Sequence, residues 1–95
     1  MNILKWLEIW YLQQCDDNWE HNCGVEIETL DNPGWAIKIA IKDTDLEIKK
    51  FKRKEIERGQ DDWIHCWIEN NKFNAACGPE NLEEALEIFR KWALA

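Results

Sequence analysis

The chain has 95 residues, of which 45% are hydrophobic and 33% are charged, and its formal net charge is −7 at pH 7. This length supports one domain, residues 1–95, built around one hydrophobic core, and it leaves no room for a second. The acidic balance argues against nucleic acid as a partner, because Lys and Arg must neutralise phosphates there. It suits a basic partner, or it simply keeps the protein dissolved.

The charge is unevenly distributed along the chain. Residues 1–31 carry seven acids and one lysine, residues 32–60 carry five acids and eight bases, and residues 61–95 carry seven acids and three bases. The basic run Lys49–Lys54 is the one feature that favours nucleic acid, and the acids that follow it favour a solvated segment instead.

The first predicted element is a helix that Asn2 can cap. Its apolar residues form two stripes, one of Leu4, Leu7 and Tyr11 and one of Ile3, Trp6 and Trp10. The apolar run spans only about ten residues and contains charges, so it is neither a secretion signal nor a membrane span. We therefore expect a cytoplasmic protein with no membrane partner.

From Gly24 the apolar period changes to two, which predicts a β-hairpin around Asn32-Pro33-Gly34. A two-residue turn at Pro33-Gly34 would put the acids of the first strand on the isoleucine face of the second. The pattern therefore predicts an extra loop residue or bulge, with Ile27 opposite Ile39 and Glu28 opposite Lys38.

The remaining elements complete the predicted fold. Leu46–Phe51 is predicted as a third strand, Lys52–Gln60 as a charged connection, Asp62–Asn70 as a fourth strand and Phe73–Cys77 as a short fifth. Asn81 and Glu84 form a capping-box pattern before a last helix. Its apolar stripe is Leu82, Leu86, Phe89 and Trp92 or Ala93. The predicted class is α+β: an antiparallel four- or five-stranded meander with both terminal helices on one face, in two layers.

Such a fold leaves one sheet face to solvent. If the isoleucines face the helices, this face carries Glu26, Glu28, Lys38 and Lys42 from the hairpin and Trp63, His65 and Trp67 from the fourth strand. Exposed tryptophans beside acids are typical of a binding surface. The alternative is a fourth strand that is central and covered on both faces, or rings that merely shield the strand edges.

Between Cys15 and Gly24 the chain concentrates groups that can carry chemistry. The candidate zinc ligands in the whole chain are Cys15, His21, Cys23, His65, Cys66 and Cys77, but they lack the close pairing of structural zinc sites. We therefore expect no metal and no cofactor. Cys77 precedes the last helix without a recognisable base, which favours a packed residue over a nucleophile. A small enzyme or thiol-dependent protein that uses Cys77, or Cys15 with His21 and Cys23, is the alternative.

Several stretches carry a family resemblance over nearly the whole chain. They are Trp19-Glu20-His21-Asn22-Cys23-Gly24, Thr29–Trp35, Asp62–Trp67 and the Gly-Pro turn before a helix with Phe89 and Trp92. Together they resemble immunity protein family 53 of bacterial polymorphic toxin systems. In the family pattern a glycine is common at position 17, an aromatic residue at position 23 and a second glycine at position 77. Here those positions hold Asp17, Cys23 and Cys77.

The resemblance implies a small cytosolic protein that binds and neutralises a cognate toxin and has no chemistry of its own. Combined with the acidic charge, it predicts a partner-binding surface for a basic toxin. The predicted surface consists of Asp16, Asp17, Glu20, Glu26 and Glu28, supported by Trp63, His65 and Trp67. We expect Asp16, Asp17 and Glu20 to be exposed and to contribute little to folding.

Overall fold

The computed structural model describes residues 1–95 as a two-layer α+β fold, which confirms the predicted class. In chain order the elements are α1 (Ile3–Gln14), α2 (Trp19–Asn22), β1 (Val25–Leu30), β2 (Gly34–Ala40), β3 (Lys54–Gly59), β4 (Asp62–Glu69), β5 (Lys72–Cys77) and α3 (Leu82–Leu94). The strands form one sheet in the order β1-β2-β5-β4-β3, with every neighbouring pair antiparallel. Helices α1 and α3 pack against each other over one face of this sheet.

Helix α1 begins where the sequence predicts. The Asn2 side chain accepts a hydrogen bond from the Lys5 backbone N–H at 2.8 Å, which satisfies one of the free donors of the first turn. Of the two apolar stripes, the core takes Ile3, Leu7 and Trp10, whereas Leu4 and Tyr11 stay 57% and 37% exposed. None of the three helices is long and apolar enough to cross a membrane.

The hairpin keeps the predicted faces but not the predicted partners. Leu30 pairs with Gly34 across a three-residue loop, so Ile27 lies opposite Ile37 and Glu28 lies opposite Ala36. The predicted pairs are wrong by two residues, a shift that leaves every side chain on the same face and that alternation cannot detect. Strand β2 begins at Gly34. Glycine is needed there because any Cβ would collide with the backbone carbonyl of Cys77 on neighbouring β5.

The predicted third strand is wrong. Leu46–Phe51 lies in the long connection between β2 and β3, and the predicted charged connection contains β3. This connection must cross from β2, inside the sheet, to the far edge, so the order departs from a simple meander. It is anchored by Leu46, which is buried in the core. Strand β3 lacks a strong apolar signal because an edge strand needs to bury only Ile56.

Helix α3 supplies the centre of the core but lacks the predicted capping box. Phe89 is fully buried, and its ring lies 5.1 Å from those of both Trp10 and Phe73. Asn81 makes no side-chain cap to the helix. Its side-chain Oδ1 instead accepts a hydrogen bond from the Trp63 backbone N–H at 3.3 Å, and its side-chain Nδ2 donates one to Asp62 at 2.9 Å. The side chain thus joins α3 to the start of β4.

Candidate partner-binding surface

The sheet face opposite α1 and α3, here called the open face, is covered by no other element. The strand register sets its side chains in rows that run across the sheet. One row holds Glu28, Ala36, Ala76, His65 and Glu55, and the next holds Glu26, Lys38, Asn74 and Trp67. The open face therefore carries the predicted Glu26 and Glu28 on edge strand β1, Lys38 on β2 and the three predicted ring side chains on β4.

The three ring side chains of β4 form a ridge on the open face, here called the aromatic ridge: Trp63, His65 and Trp67. All three are half-buried, which excludes a fourth strand covered on both faces. The Trp63 and His65 rings meet edge to face at 5.4 Å, and His65 Nε2 lies 2.7 Å from Glu57 Oε1. The Trp67 indole N–H donates to Glu69 at 3.2 Å. The ridge is thus held in place before any partner arrives.

A cation lies over one end of the ridge. The Arg53 guanidinium carbon stands 5.3 Å from the centroid of the Trp67 ring, within the range of a cation–π contact. The same arginine pairs with Glu55 at 3.2 Å. Arg53 therefore shields part of the Trp67 face, and a partner that stacks on this ring must share it with Arg53 or displace it.

Small side chains lie next to the ridge and form a shallow trough. Ala36 on β2 and Ala76 on β5 occupy the middle of their row, and the adjoining Asn74 is buried. Two strands separate β1 from β4, so the β1 acids stand about 14 Å from the ridge. The trough therefore separates the aromatic ridge on β4 from Glu28 on edge strand β1.

The acids after α1 hold the loop together. Asp16 Oδ1 accepts from the backbone N–H groups of Trp19 at 2.8 Å and Asn18 at 3.0 Å. Glu20 accepts from the N–H groups of Asp16 and Asp17 at 3.0 and 2.9 Å. The Trp19 and Asn18 donors lower the pKa of Asp16, and the N–H groups of Glu20 itself, Asp16 and Asp17 lower that of Glu20. Two of the three predicted loop acids are therefore part of the folded framework.

The loop acids and the open face do not form one continuous acidic surface. Between them lies a groove of about 560 Å³ at the end of the sheet. Its walls include Lys38, Lys42 and Lys72, none of which makes an ion pair. The open face itself is mixed, with five acids and three bases. These residues are Glu26, Glu28, Glu55, Glu57 and Glu69 with Lys38, Arg53 and Lys72.

The cysteines considered for chemistry form no common site, since Cys66 and Cys77 lie on the paired strands β4 and β5 whereas Cys15 and Cys23 flank α2. Cys66 and Cys77 are fully buried, and burial raises the pKa of both thiols, that of Cys66 to about 12. Cys15 donates to the Tyr11 carbonyl at 3.4 Å, and the half-buried Cys23 packs against the core. No three His, Cys, Asp or Glu side chains come together in a group that could hold a metal ion. The Cys77 side chain is therefore packed in the core, out of contact with solvent.

Sequence reasoning missed part of the open face. Ala36, Asn74 and Ala76 form its trough, and Arg53, Glu55 and Glu57 flank the aromatic ridge. The signal was present in the alternation of β3, where the residues on either side of Ile56 are both glutamates. The charge of this segment is as typical of a loop as of an edge strand, so this alternation alone does not predict β3.

Comparison with known proteins identifies the family of the chain. Neither curated proteins nor solved structures give a match to the chain. The profile of the family described as Immunity protein 53 matches residues 4–94, which is essentially the whole chain. The chain therefore belongs to the Immunity protein 53 family.

Proposed function

We propose that this protein neutralises a cognate toxin of a bacterial polymorphic toxin system in the cytoplasm by binding it through the open face. Family membership supplies the class of protein. The observation that carries the choice of surface is the aromatic ridge, which no element of the fold covers. The protein acts by occupying the toxin and performs no reaction of its own.

The aromatic ridge has the properties of a binding anchor. Tryptophan is enriched among the residues that dominate binding energy, because its large ring buries much apolar area. Trp63 and Trp67 are half-buried in the free protein and already hold defined positions through His65 and Glu69. Little side-chain entropy is lost when such rings are covered, so most of the burial contributes to affinity.

Charge supports a basic toxin. The net charge of −7 attracts a basic partner from a distance, and the open face carries two more acids than bases. Glu26 and Glu28 are exposed and make no ion pair within the chain. They are thus free to meet cationic side chains of the toxin, chiefly to speed its association.

The test uses the toxin encoded by the neighbouring gene and measures association and dissociation rates at low and high salt. Trp67→Ala is expected to accelerate dissociation by about tenfold or more, as removal of an anchor does. Glu26→Lys with Glu28→Lys is expected to slow association and weaken its salt dependence.

Two controls match these changes elsewhere on the molecule. Leu12→Ala truncates a side chain that is 70% exposed on α1, and Asp45→Lys with Glu83→Lys reverses two exposed charges on the helix side. Leu12→Ala should leave the dissociation rate unchanged, and Asp45→Lys with Glu83→Lys should slow association less than the open-face charge reversal does. If the controls and the open-face variants behave alike, the open face is not the toxin-binding surface.

A further inference from the structure

A second surface lies on the other side of edge strand β3, in a groove between β3 and α3, here called the β3–α3 groove. It encloses about 990 Å³. Its apolar floor is formed by Phe51, Ile56, Ile88 and Trp92, all partly buried and packed on the edge of the core. The β3–α3 groove is thus larger than the 560 Å³ groove lined by Lys38, Lys42 and Lys72, and it has an apolar floor.

The groove exists because two helices do not cover five strands. Strands repeat every 4.8 Å or so and packed helices every 8–10 Å, so a pair of helices covers about four strands. Ile64 on β4 is fully buried, whereas its partner Ile56 on β3 is only partly covered. The helix layer therefore stops short of β3, and the uncovered apolar strip is the groove floor.

All unpaired side-chain charges around the groove are positive. Both of its acids are already engaged, Glu84 by Arg58 at 2.6 Å and Glu87 by Arg90 at 2.7 Å. Three lysines on the rim make no ion pair: Lys52, Lys54 and Lys91. A cationic rim on a protein of net charge −7 suits a ligand that brings carboxylates, the opposite of what the open face suits.

The groove also runs beside a free sheet edge. Strand β3 pairs only with β4, so the backbone groups of its outer side have no strand partner. A polypeptide in the groove lies within reach of these groups and can add main-chain hydrogen bonds to its side-chain contacts. A small ligand would leave most of this length unused.

We propose that the β3–α3 groove binds a toxin segment that carries apolar side chains flanked by carboxylates, an inference that rests on the proposed function. The apolar side chains cover Phe51, Ile56, Ile88 and Trp92, and the carboxylates meet the three rim lysines. A toxin bound in this way contacts edge strand β3 from the open face and from the β3–α3 groove. The opposite charge preferences of the two surfaces fix its orientation.

The experiment measures the affinity of the neighbouring-gene toxin for single variants of the full chain. Lys54→Glu and Lys91→Glu reverse rim charges, and Ile88→Ala removes part of the floor. Each is expected to weaken binding by about tenfold, the effect of losing one well-placed contact. Thermal unfolding of each variant verifies that it is folded.

Two matched controls carry the same chemical changes outside the groove. Lys5→Glu reverses an exposed charge on α1, and Ile48→Ala truncates a side chain that is 93% exposed. Both should bind as tightly as the unaltered protein.

Three outcomes separate this inference from the proposed function. Weakening by the groove variants but not by the controls supports the inference. If only open-face variants weaken binding, the groove inference is overturned and the proposed function stands. If the unaltered protein does not bind the toxin, both are overturned.

Discussion

Asp17 carries backbone strain that a glycine at the same position would avoid. Its φ is 71°, in the left-handed region that glycine adopts freely and other residues adopt at a cost. The resemblance to the family places a glycine there, and the backbone angle gives the physical reason. Asp17 is exposed, and its own backbone N–H is held by Glu20.

Asp17→Gly is therefore expected to raise the free energy of unfolding by about 0.5–1 kcal/mol, since relief of strain exceeds the added entropy of the unfolded chain. Urea denaturation measures the change. Asp31→Gly is the control, because Asp31 is an exposed loop residue without a positive φ and should gain nothing. Equal effects of both changes would mean that φ at position 17 carries no strain.

The loop acids mark a limit of prediction at the same scale. Asp16 lies three residues before the buried Trp19, and Glu20 lies one residue after it. The sequence does not reveal that both carboxylates accept hydrogen bonds from backbone N–H groups. A solvated acid and a capping acid have the same composition and differ only in loop geometry. Trp19, in the same loop, is buried, and its ring meets that of Trp10 edge to face at 6.3 Å.

At the scale of elements, one polar network ties three secondary structures together. Asn81, before α3, donates to Asp62 at the start of β4, and Asp62 lies 2.9 Å from Arg58 on β3. Arg58 in turn binds both carboxylate oxygens of Glu84 on α3, at 2.6 and 3.0 Å. The residues of the predicted capping box thus stabilise the junction of sheet and helix instead of the helix end.

Asn81→Ala should lower the free energy of unfolding by about 1–3 kcal/mol, because the Trp63 N–H loses its partner in a buried setting. Chemical denaturation provides the measurement. Asn32→Ala, at an exposed position in the β1–β2 loop, should change it far less. A loss at Asn81 no larger than at Asn32 would show that the network does not stabilise the fold.

Elements with a strong period were predicted, and those defined by tertiary context were not. Alternation located β1, β2, β4 and β5, and helical stripes located α1 and α3. Strand β3 was not predicted because, as an edge strand, it places only Ile56 against the core and is otherwise mostly charged. The position of β2 beside β5 could not be read from either strand alone, since both offer a suitable apolar face.

Both edges of the sheet carry acids on the open face, Glu26 and Glu28 on β1 and Glu55 and Glu57 on β3. Two copies that paired edge to edge would bring these acids together, so the arrangement disfavours sheet extension by self-association. A partner strand with basic side chains would meet no such repulsion.

For the molecule as a whole, the two sides of the sheet differ in the surface they present. The open face combines an aromatic ridge with acids, whereas the helix side offers a basic, apolar groove beside β3. Helix α1 presents a third surface, which exposes Leu4, Ile9, Tyr11 and Leu12. The central claim is that the first of these surfaces meets the toxin.

Hydroxyl-radical footprinting of the protein with and without the neighbouring-gene toxin tests that claim most directly, because the label reports side-chain exposure residue by residue. We expect the labelling of Trp63 and Trp67 to fall severalfold in the complex, while Tyr11 and Leu12 on α1 are labelled as before. Unchanged labelling of both tryptophans in a complex that protects Tyr11 and Leu12 would contradict the account and assign the toxin to α1.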